Sequence, residues 1–540
     1  MARGQRDRSV TIAGAGIAGM TAALRLLEVG FDVTVFEASN RVGGKFGAAN
    51  GGVFHEHAYH FLADWCLNFW RLAASIGLSK ATDFVPRDSI KFLRPREAHH
   101  RPGNYQFLEL KHGSSIANFW DNVHSGVIPP DDMIIYYYSL LDLLTAPDDD
   151  PDEVEFLNRN SVNGFKRSRA YMTNRAALLH QEALLKAFAV PSYDTSVRSY
   201  RTFLRYFGRD SGGWILRGDC QTRFWDRFLT KLREYDGRRG RPLFELKLNA
   251  PLECIDAVRD AQDPCRAHVT GIEVAGQGMR RPRHLILAIP YDKVVSLVEC
   301  NATLRDCLPD LLELRKLRSR QMASLDLRFR KPLPGIPPEH VTLIDDSNLE
   351  RPASLADDGD IASKYGLSFV DNYQAWHRGR RQTWLNVVAA DFEELAGLDK
   401  TVARHLILTE LHRYLDFDDA DIDEERSNFE PNAVAKLFAN TVGSWQFRPE
   451  TRTGCSDYEE RWVHTRVTNL YLAGDYCRSK IDLVCLEGAV TTGIAAARAI
   501  AGPSVADPLV PPDVSLQECV KAKAALAPWL ALTAKGRTLV

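Results

Sequence analysis

Short apolar runs and helix-spaced stretches alternate near both ends of the chain. Ser9–Ala13 (SVTIA) reads as a short buried strand. MTAALRLLEVG then places apolar residues at helical spacing and stops at Gly30, and DVTVFEAS supplies a second strand ending at Glu37. The same rhythm resumes near Trp214. Cys220–Gly237 reads as an amphipathic helix with a glycine stop, FELKLNAPLECIDAVRD and HVTGIEVAG carry strand signals, and RHLILAIPYDKVVSLV gives a strand, a turn at Pro290 and a helix. Further on, SLDLRF alternates like a strand of a mixed sheet, LSFVDNY and TWLNVVAA look like further strands, and TVARHLILTELHRYLD is an amphipathic helix. NLYLA then runs into Gly474 and Asp475, and a small-residue helix pattern begins with Glu487, Gly488 and Ala489. Residues from about 101 to 213 mix aromatic helical stretches with turns. After residue 503 several prolines precede a helical ECVKAKAALAPWLALTAKG, whose role the pattern does not reveal.

Between the first strand and the first helix stands GAGIAG, with Gly14, Gly16 and Gly19 in G-x-G-x-x-G spacing. Strand, glycine turn, helix, strand and acid in this order form the dinucleotide-binding fingerprint in its proper context. Gly14 permits the tight turn, Gly16 lets a pyrophosphate approach the backbone, and Gly19 lets helix and strand pack closely. The helix start at Ile17 and Ala18 offers free N–H groups and a partial positive charge to the phosphates. Glu37, next to Ala38, stands where a carboxylate accepts hydrogen bonds from the adenosine ribose and disfavours the extra phosphate of NADP. The fold class that follows is α/β, a Rossmann-type dinucleotide domain with a discontinuous mixed α+β substrate domain.

Length and composition narrow the picture. A chain of 540 residues exceeds one compact core. A formal net charge of -2 gives no global pull toward nucleic acid. Ten cysteines are scattered without a C-x-x-C pair, which fits a reduced, cytoplasmic protein with no structural disulfide. His55, His57 and His60 cluster, but no further ligand stands at metal-site spacing, so no metal is expected. No run reaches the roughly 18 apolar residues of a membrane span. The greasiest stretch, MIIYYYSLLDLL from Met133 to Leu144, reads as a buried helix or as a patch resting on a bilayer. Membrane association at the periphery stays open on that ground.

Directly after the ribose acid comes NRVGGK, with Arg41, Gly43, Gly44 and Lys45. This resembles the E-A-x-x-R-x-G-G-[RK] extension of the FAD-binding amine oxidase and carotenoid (phytoene) desaturase superfamily. RHLILAIP and LYLAGDY…LEGAVTTGIAAARAI carry the same resemblance, which extends discontinuously from about residue 9 to 502. LFANTVGSWQFRPE and GDYCRSKIDLVCLEGA look closer to the desaturase, carotene isomerase and hydroxysqualene dehydroxylase branch than to monoamine oxidases. The resemblance implies an FAD-binding domain from 9–100, 214–300 and 455–502, a substrate domain from 101–213 and 301–454, and an extension at 503–540. It implies that NRVGGK runs beside the pyrophosphate and ribityl chain and that Leu252 contacts the adenine through its backbone. Gly474 and Asp475 would meet the ribityl chain. The helix start at Glu487, Gly488 and Ala489 would face the N1–C2=O edge of the flavin and stabilise negative charge there. Many amine oxidases carry a lysine on a substrate-domain strand. Here Ser324 falls at that place, and no lysine occurs between Lys316 and Lys331. The flavin-attaching cysteine segment of monoamine oxidases is not recognisable, so noncovalent FAD is expected.

The resemblance thus implies an FAD-dependent oxidoreductase that passes hydride from a lipophilic, isoprenoid- or polyene-like substrate to flavin N5, of desaturase or isomerase type. Such chemistry uses a base for the second proton, and His60 and Glu56 are the candidates. The alternative is an amine or amino-acid oxidase, in which Arg478 or Lys480 would orient a substrate carboxylate. Escort proteins of prenylated GTPases share this fold without redox chemistry, but the intact Glu37, NRVGGK and GDY motifs speak against that class. The expected partner is a small apolar molecule, not nucleic acid.

Overall fold

The first strand is buried on both faces, which requires packing layers on both sides of its sheet. Val10 and Ile12 enter one apolar core and Ala13 enters another. The neighbouring strands divide their side chains in the same way: Ile286 and Tyr471 go to the first core, Leu285, Leu287, Leu470 and Leu472 to the second. The computed structural model describes residues 8–50, 54–56, 60–96, 103–113, 115–188, 190–209, 212–236, 242–263, 266–345, 363–376, 382–430, 437–438, 440–453 and 466–537. In it the five-stranded sheet has the order Phe244–Lys247, Asp32–Phe36, Ser9–Ala13, Leu285–Leu287 and Leu470–Leu472, every pair parallel. Helices Ile17–Glu28 and Leu486–Ala501 supply the first core. The antiparallel strands Leu252–Arg259 and Arg266–Val274 and the helix Tyr291–Glu299 supply the second.

A second, mixed sheet has seven strands. In spatial order they are Asn428–Glu430, Ala323–Arg328, Trp384–Ala389, Leu367–Asp371, Val341–Leu343, Ser89–Leu93 and Leu108–Lys111. The alternation read in SLDLRF places Ala323, Leu325 and Leu327 in one core with Ala403, Ile407 and Leu411 of the helix Lys400–Leu411. On the opposite face of the sheet Thr342, Ser368 and Val388 border an internal cavity. Ser89–Leu93 falls within the 9–100 segment grouped with the first unit by sequence. It hydrogen-bonds instead in this second sheet, parallel to Val341–Leu343 and antiparallel to Leu108–Lys111. Its Phe92 and Leu93 enter different cores, as an interior strand requires.

Two contacts lock the far end of the chain onto its beginning. A Cβ built on Gly493 would lie 2.4 Å from the carbonyl oxygen of Ala18, so only glycine lets helix Leu486–Ala501 approach helix Ile17–Glu28 this closely. In the first turn of the same helix, Glu487 is fully buried. The resemblance assigns the helix start at this residue to the flavin; the carboxylate itself has partners within the protein. It accepts from Asn68 N (2.7 Å), Asn68 Nδ2 (2.7 Å) and Phe69 N (2.9 Å). Those are first-turn donors of helix Leu67–Ser75, whose N-cap Cys66 supplies no side-chain cap. Asn68 in turn donates to the carbonyl of Leu509 and accepts from its N–H, both at 2.8 Å, which anchors the chain ahead of the last helix. That helix, Leu516–Arg537, packs along helix Pro130–Leu144 and joins it through Lys523 Nζ to Asp142 Oδ1 at 2.6 Å.

Gly493→Val should lower stability by at least about 1–3 kcal/mol, read from the urea midpoint, because backbone rather than a pliable side chain blocks the new atoms. Burial pushes the Glu487 carboxyl up to about 7, against the pull of its three N–H donors. The folded state therefore holds this proton more tightly than the unfolded chain. The resulting stability is fully present below the unfolded pKa near 4.5 and is lost as pH rises through about 7. Relative to Glu487→Gln, the wild type should lose roughly 1–3 kcal/mol across that window in denaturant titrations; parallel pH profiles would refute this.

Candidate functional site

The glycine turn opens onto a cavity of about 1940 Å³ that extends from there to the last helix. Small-molecule pockets commonly occupy roughly 300–1,000 Å³, so the space suits a dinucleotide and a second ligand together. At its first end two of the three motif glycines are fixed by packing. A Cβ on Gly14, which has φ +104°, would lie 2.3 Å from Ala288 O, and one on Gly19 would lie 2.1 Å from Gly14 O. Gly16 has nothing within 4 Å of its Cβ position and borders the cavity, which is what close approach of a phosphate demands. The helix that begins at Ile17 has no side-chain cap and no acid in its first turn, so its leading N–H groups face an anion without competition.

The NRVGGK segment lies directly against this turn. Gly16 and Gly43 form a parallel bridge, with Gly43 N donating to Ala15 O at 2.9 Å. Glu37 is held from two sides: Oε2 accepts from Ala15 N at 2.7 Å, and Oε1 accepts from Ser39 N and Oγ at 2.9 and 2.8 Å. Ile17, Ala18, Ala38, Gly44 and Lys45 border the cavity beside it, and Leu252 with Pro251 borders the same end. Arg41 does not border it; its carbonyl accepts from Ser39 Oγ, and its role is in the turn. Gly19 and Gly488 also lie off the surface of the cavity and act through packing, Gly488 because a Cβ there would sit 2.5 Å from Leu483 O.

Deeper in, the two motif regions meet through side chains. Lys45 Nζ donates to Asp475 Oδ2 at 2.7 Å, joining residues 430 positions apart. Gly474 leaves room for the Tyr476 ring, 2.6 Å from its would-be Cβ, and exchanges hydrogen bonds with Thr492 Oγ1 through both its N–H and its carbonyl. Buried Arg448 holds the following loop through Asp482 Oδ1 (3.0 Å) and Cys477 O (2.7 Å). Ala489, Glu487 and Cys485 border the cavity where helix Leu486–Ala501 begins. Burial pushes the Cys485 thiol up to about 12 and the Cys66 thiol well above its usual value, so both bordering thiols are protonated and poor nucleophiles. The open Gly16, the anchored Glu37, the uncapped helix start and the Lys45–Asp475 pair match the parts of FAD in sequence: pyrophosphate, ribose and ribityl chain.

His60 borders the cavity next to this pair. Its Nε2 lies 3.3 Å from Lys45 O, and its ring stands edge-on to Phe46 with centroids 4.9 Å apart. Glu56 pairs across from Ala48 in the short hairpin Ala48–Asn50 and Phe54–Glu56; its side chain, with His57, lies outside the described residues. Ser324 does not border the cavity and accepts from Asn386 Nδ2 at 3.1 Å. From the facing sheet Met322, Thr342, Ser368, Val388 and Ala390 do so instead, and the described lysines bordering the cavity are Lys45, Lys111 and Lys293. Arg478 faces Glu450, and neither it nor Lys480 reaches the cavity.

Beyond the sheet the cavity becomes a chamber with apolar and aromatic walls, among them Phe119, Tyr137, Leu140, Phe203 and Phe207. MIIYYYSLLDLL is part of helix Pro130–Leu144, with Met133, Ile134 and Ile135 buried, so it forms a wall rather than a surface patch. Among the described residues no helix is long and apolar enough to cross a membrane. The last helix closes the chamber through Glu518, Cys519, Ala522, Ala525, Leu526 and Trp529. Sequence reasoning gave this helix no role, although those positions recur at the three-and-four spacing of a single helical face.

Comparison with known proteins agrees with this geometry. A protein named as a protoporphyrinogen oxidase from Exiguobacterium sp. 255-15 is 17% identical, with a TM-score of 0.57 over 93% of this chain and 99% of that one. Cyclohexylamine oxidase from Brevibacterium oxydans IH-35A is 14% identical, with a TM-score of 0.58 over 92% and 99%. Putrescine oxidase bound to putrescine is 16% identical, with a TM-score of 0.59 over 92% and 99%. These likenesses establish the fold. The sequence profile of the flavin containing amine oxidoreductases matches residues 17–501, and the chain therefore belongs to that family of FAD-dependent oxidoreductases.

Proposed function

We propose that this flavoenzyme acts on a lipophilic, isoprenoid- or polyene-like substrate, as a desaturase or isomerase, with FAD bound noncovalently. The observation that carries the reading is the chamber: apolar and aromatic walls run from the flavin end to Trp529, and the strand Ala323–Arg328, where many amine oxidases carry a lysine, has none. Bound FAD supplies hydride acceptance at N5. The chain's own residues do the rest. Gly16 and the helix start at Ile17 receive the pyrophosphate, Glu37 the ribose, and Lys45 with Asp475 the ribityl chain. The chamber walls align an apolar body and exclude water from it. His60, at the junction of the two spaces, takes the proton from the carbon next to the one that gives up hydride. The rim of the chamber carries the exposed Ile116, Trp120 and Trp529, which supports entry of substrate from a membrane surface by a cytoplasmic protein.

A second reading is an amine oxidase, favoured by the likeness to putrescine and cyclohexylamine oxidases. Against it stand the missing strand lysine and the length of the apolar space.

The purified protein should be yellow, and lipophilic polyenes should shift its flavin spectrum while a panel of primary amines leaves the flavin oxidised under anaerobic conditions. Rapid bleaching by an amine would decide for the second reading. Asp475→Ala removes one wall of the ribityl site and leaves Lys45 unpaired, so the Kd for FAD should rise about 10-fold or more. An unchanged Kd by fluorescence titration would refute the assignment. His60→Gln should keep FAD bound and lower kcat by about 100-fold or more. Full turnover in that variant would remove His60 from the chemistry.

A further inference from the structure

In the chamber wall, remote from the dinucleotide motifs, four polar side chains form a closed hydrogen-bond relay. Ser139 Oγ lies 2.6 Å from the backbone carbonyl of Tyr136 and 2.7 Å from His180 Nε2. His180 Nδ1 lies 3.0 Å from Tyr200 OH, and the Tyr200 and Tyr136 hydroxyls are hydrogen-bonded to each other. Ser139 and His180 are fully buried, while Tyr136 and Tyr200 border the chamber beside Leu140 and Leu204.

The proton positions in this ring follow from its chemistry. A backbone carbonyl only accepts, so the Ser139 hydroxyl donates to Tyr136 O. Ser139 Oγ then accepts from His180 Nε2–H. Burial, with Lys166 adding to it, pushes the imidazole down to about 3, so His180 is neutral and its Nδ1 is an acceptor. Tyr200 therefore donates to Nδ1, and its oxygen accepts from the Tyr136 hydroxyl. Every O–H and N–H in the relay is spent inside it. What the two tyrosines have left for the chamber is oxygen lone pairs.

The geometry points to a hydrogen-bond-accepting subsite at Tyr136 and Tyr200, which selects an otherwise apolar substrate bearing a neutral hydroxyl group. This rests on the lipophilic reading of the chamber and adds the polarity of the substrate's functional group. A hydroxyl entering an apolar chamber loses its bonds to water unless it meets an acceptor, and burying it unbonded costs about 1–3 kcal/mol on protein scales. A carbonyl or ether oxygen finds no donor here. An ammonium group would need its full charge solvated, which two neutral hydroxyl oxygens do not supply.

The test is calorimetric binding of four matched probes to the FAD-loaded protein: farnesol, farnesyl methyl ether, farnesal and farnesylamine. Wild type should bind farnesol about 5- to 10-fold more tightly than each of the other three. Tyr136→Phe leaves Tyr200 OH donating to His180 with its lone pairs free, so the preference for alcohol over ether should persist, and only the double variant Tyr136→Phe/Tyr200→Phe should bring the two within about twofold. In Tyr200→Phe the Tyr136 proton loses its acceptor and is free to donate, so farnesal should gain affinity relative to farnesol. Thermal melts of all three variants report stability separately, and a merely structural relay would move the melts and leave the probe ratios alone. Equal binding of alcohol and ether to wild type, or tighter binding of the amine, overturns the subsite alone. Absence of binding by all four overturns the lipophilic reading and the subsite with it.

Discussion

The carbonyl oxygen of Ala18 occupies the place that any side chain on residue 493 would need. This contact sets the distance between the two helices that begin at the cavity, one at Ile17 and one at Leu486. The first opens its leading N–H groups to the cavity, and the second brings Ala489 to its border. Their separation fixes whether Lys45 and Asp475 can meet. The alternating burial of the five strands, the glycine turn and the Glu487 tie to helix Leu67–Ser75 all serve the same alignment, because each holds one of these helices against the sheet. Electrostatics at the site depends on this packing, since an ion pair spanning 430 positions forms only after the backbone has been placed.

The parts of this architecture that sequence made legible are those in which the local backbone must itself do something unusual. Gly14 and Gly16 announce a turn with a phosphate-sized opening whatever surrounds them, and strands buried on both faces read as apolar runs. What sequence left unread depends on neighbours distant along the chain. Nothing local to Glu487 tells that its carboxylate meets Asn68, more than 400 residues earlier. Arg41 fits a family pattern but is not among the residues that border the cavity. Ser89–Leu93 carries no local mark of the sheet it joins, because its parallel partner Val341–Leu343 lies some 250 residues ahead. The last helix shows a uniform face only once the chamber behind it is known.

The cavity joins two kinds of recognition. Its dinucleotide end is made of backbone, glycine and charge, and so tolerates little change. Its chamber is made of side chains from helices whose sequence shows no strict motif, and there the polar exceptions carry the information. The Ser139, His180, Tyr200 and Tyr136 relay is such an exception: a neutral network in which direction matters more than charge, because the one fixed acceptor at its end orients every proton before it.

The position of Leu470–Leu472 at the edge of the parallel sheet has a consequence for how the protein is made. Until that strand emerges from the ribosome, Leu285–Leu287 is an open edge with unpaired backbone groups. About 180 residues separate the two strands, and at about 5–20 residues per second their synthesis takes roughly 10–40 s. Through that interval the glycine turn already exists while the opposite side of the ribityl site does not. Capture of a cofactor that needs both sides is therefore a late event in biogenesis, and the nascent chain carries this open edge for about a third of its time on the ribosome.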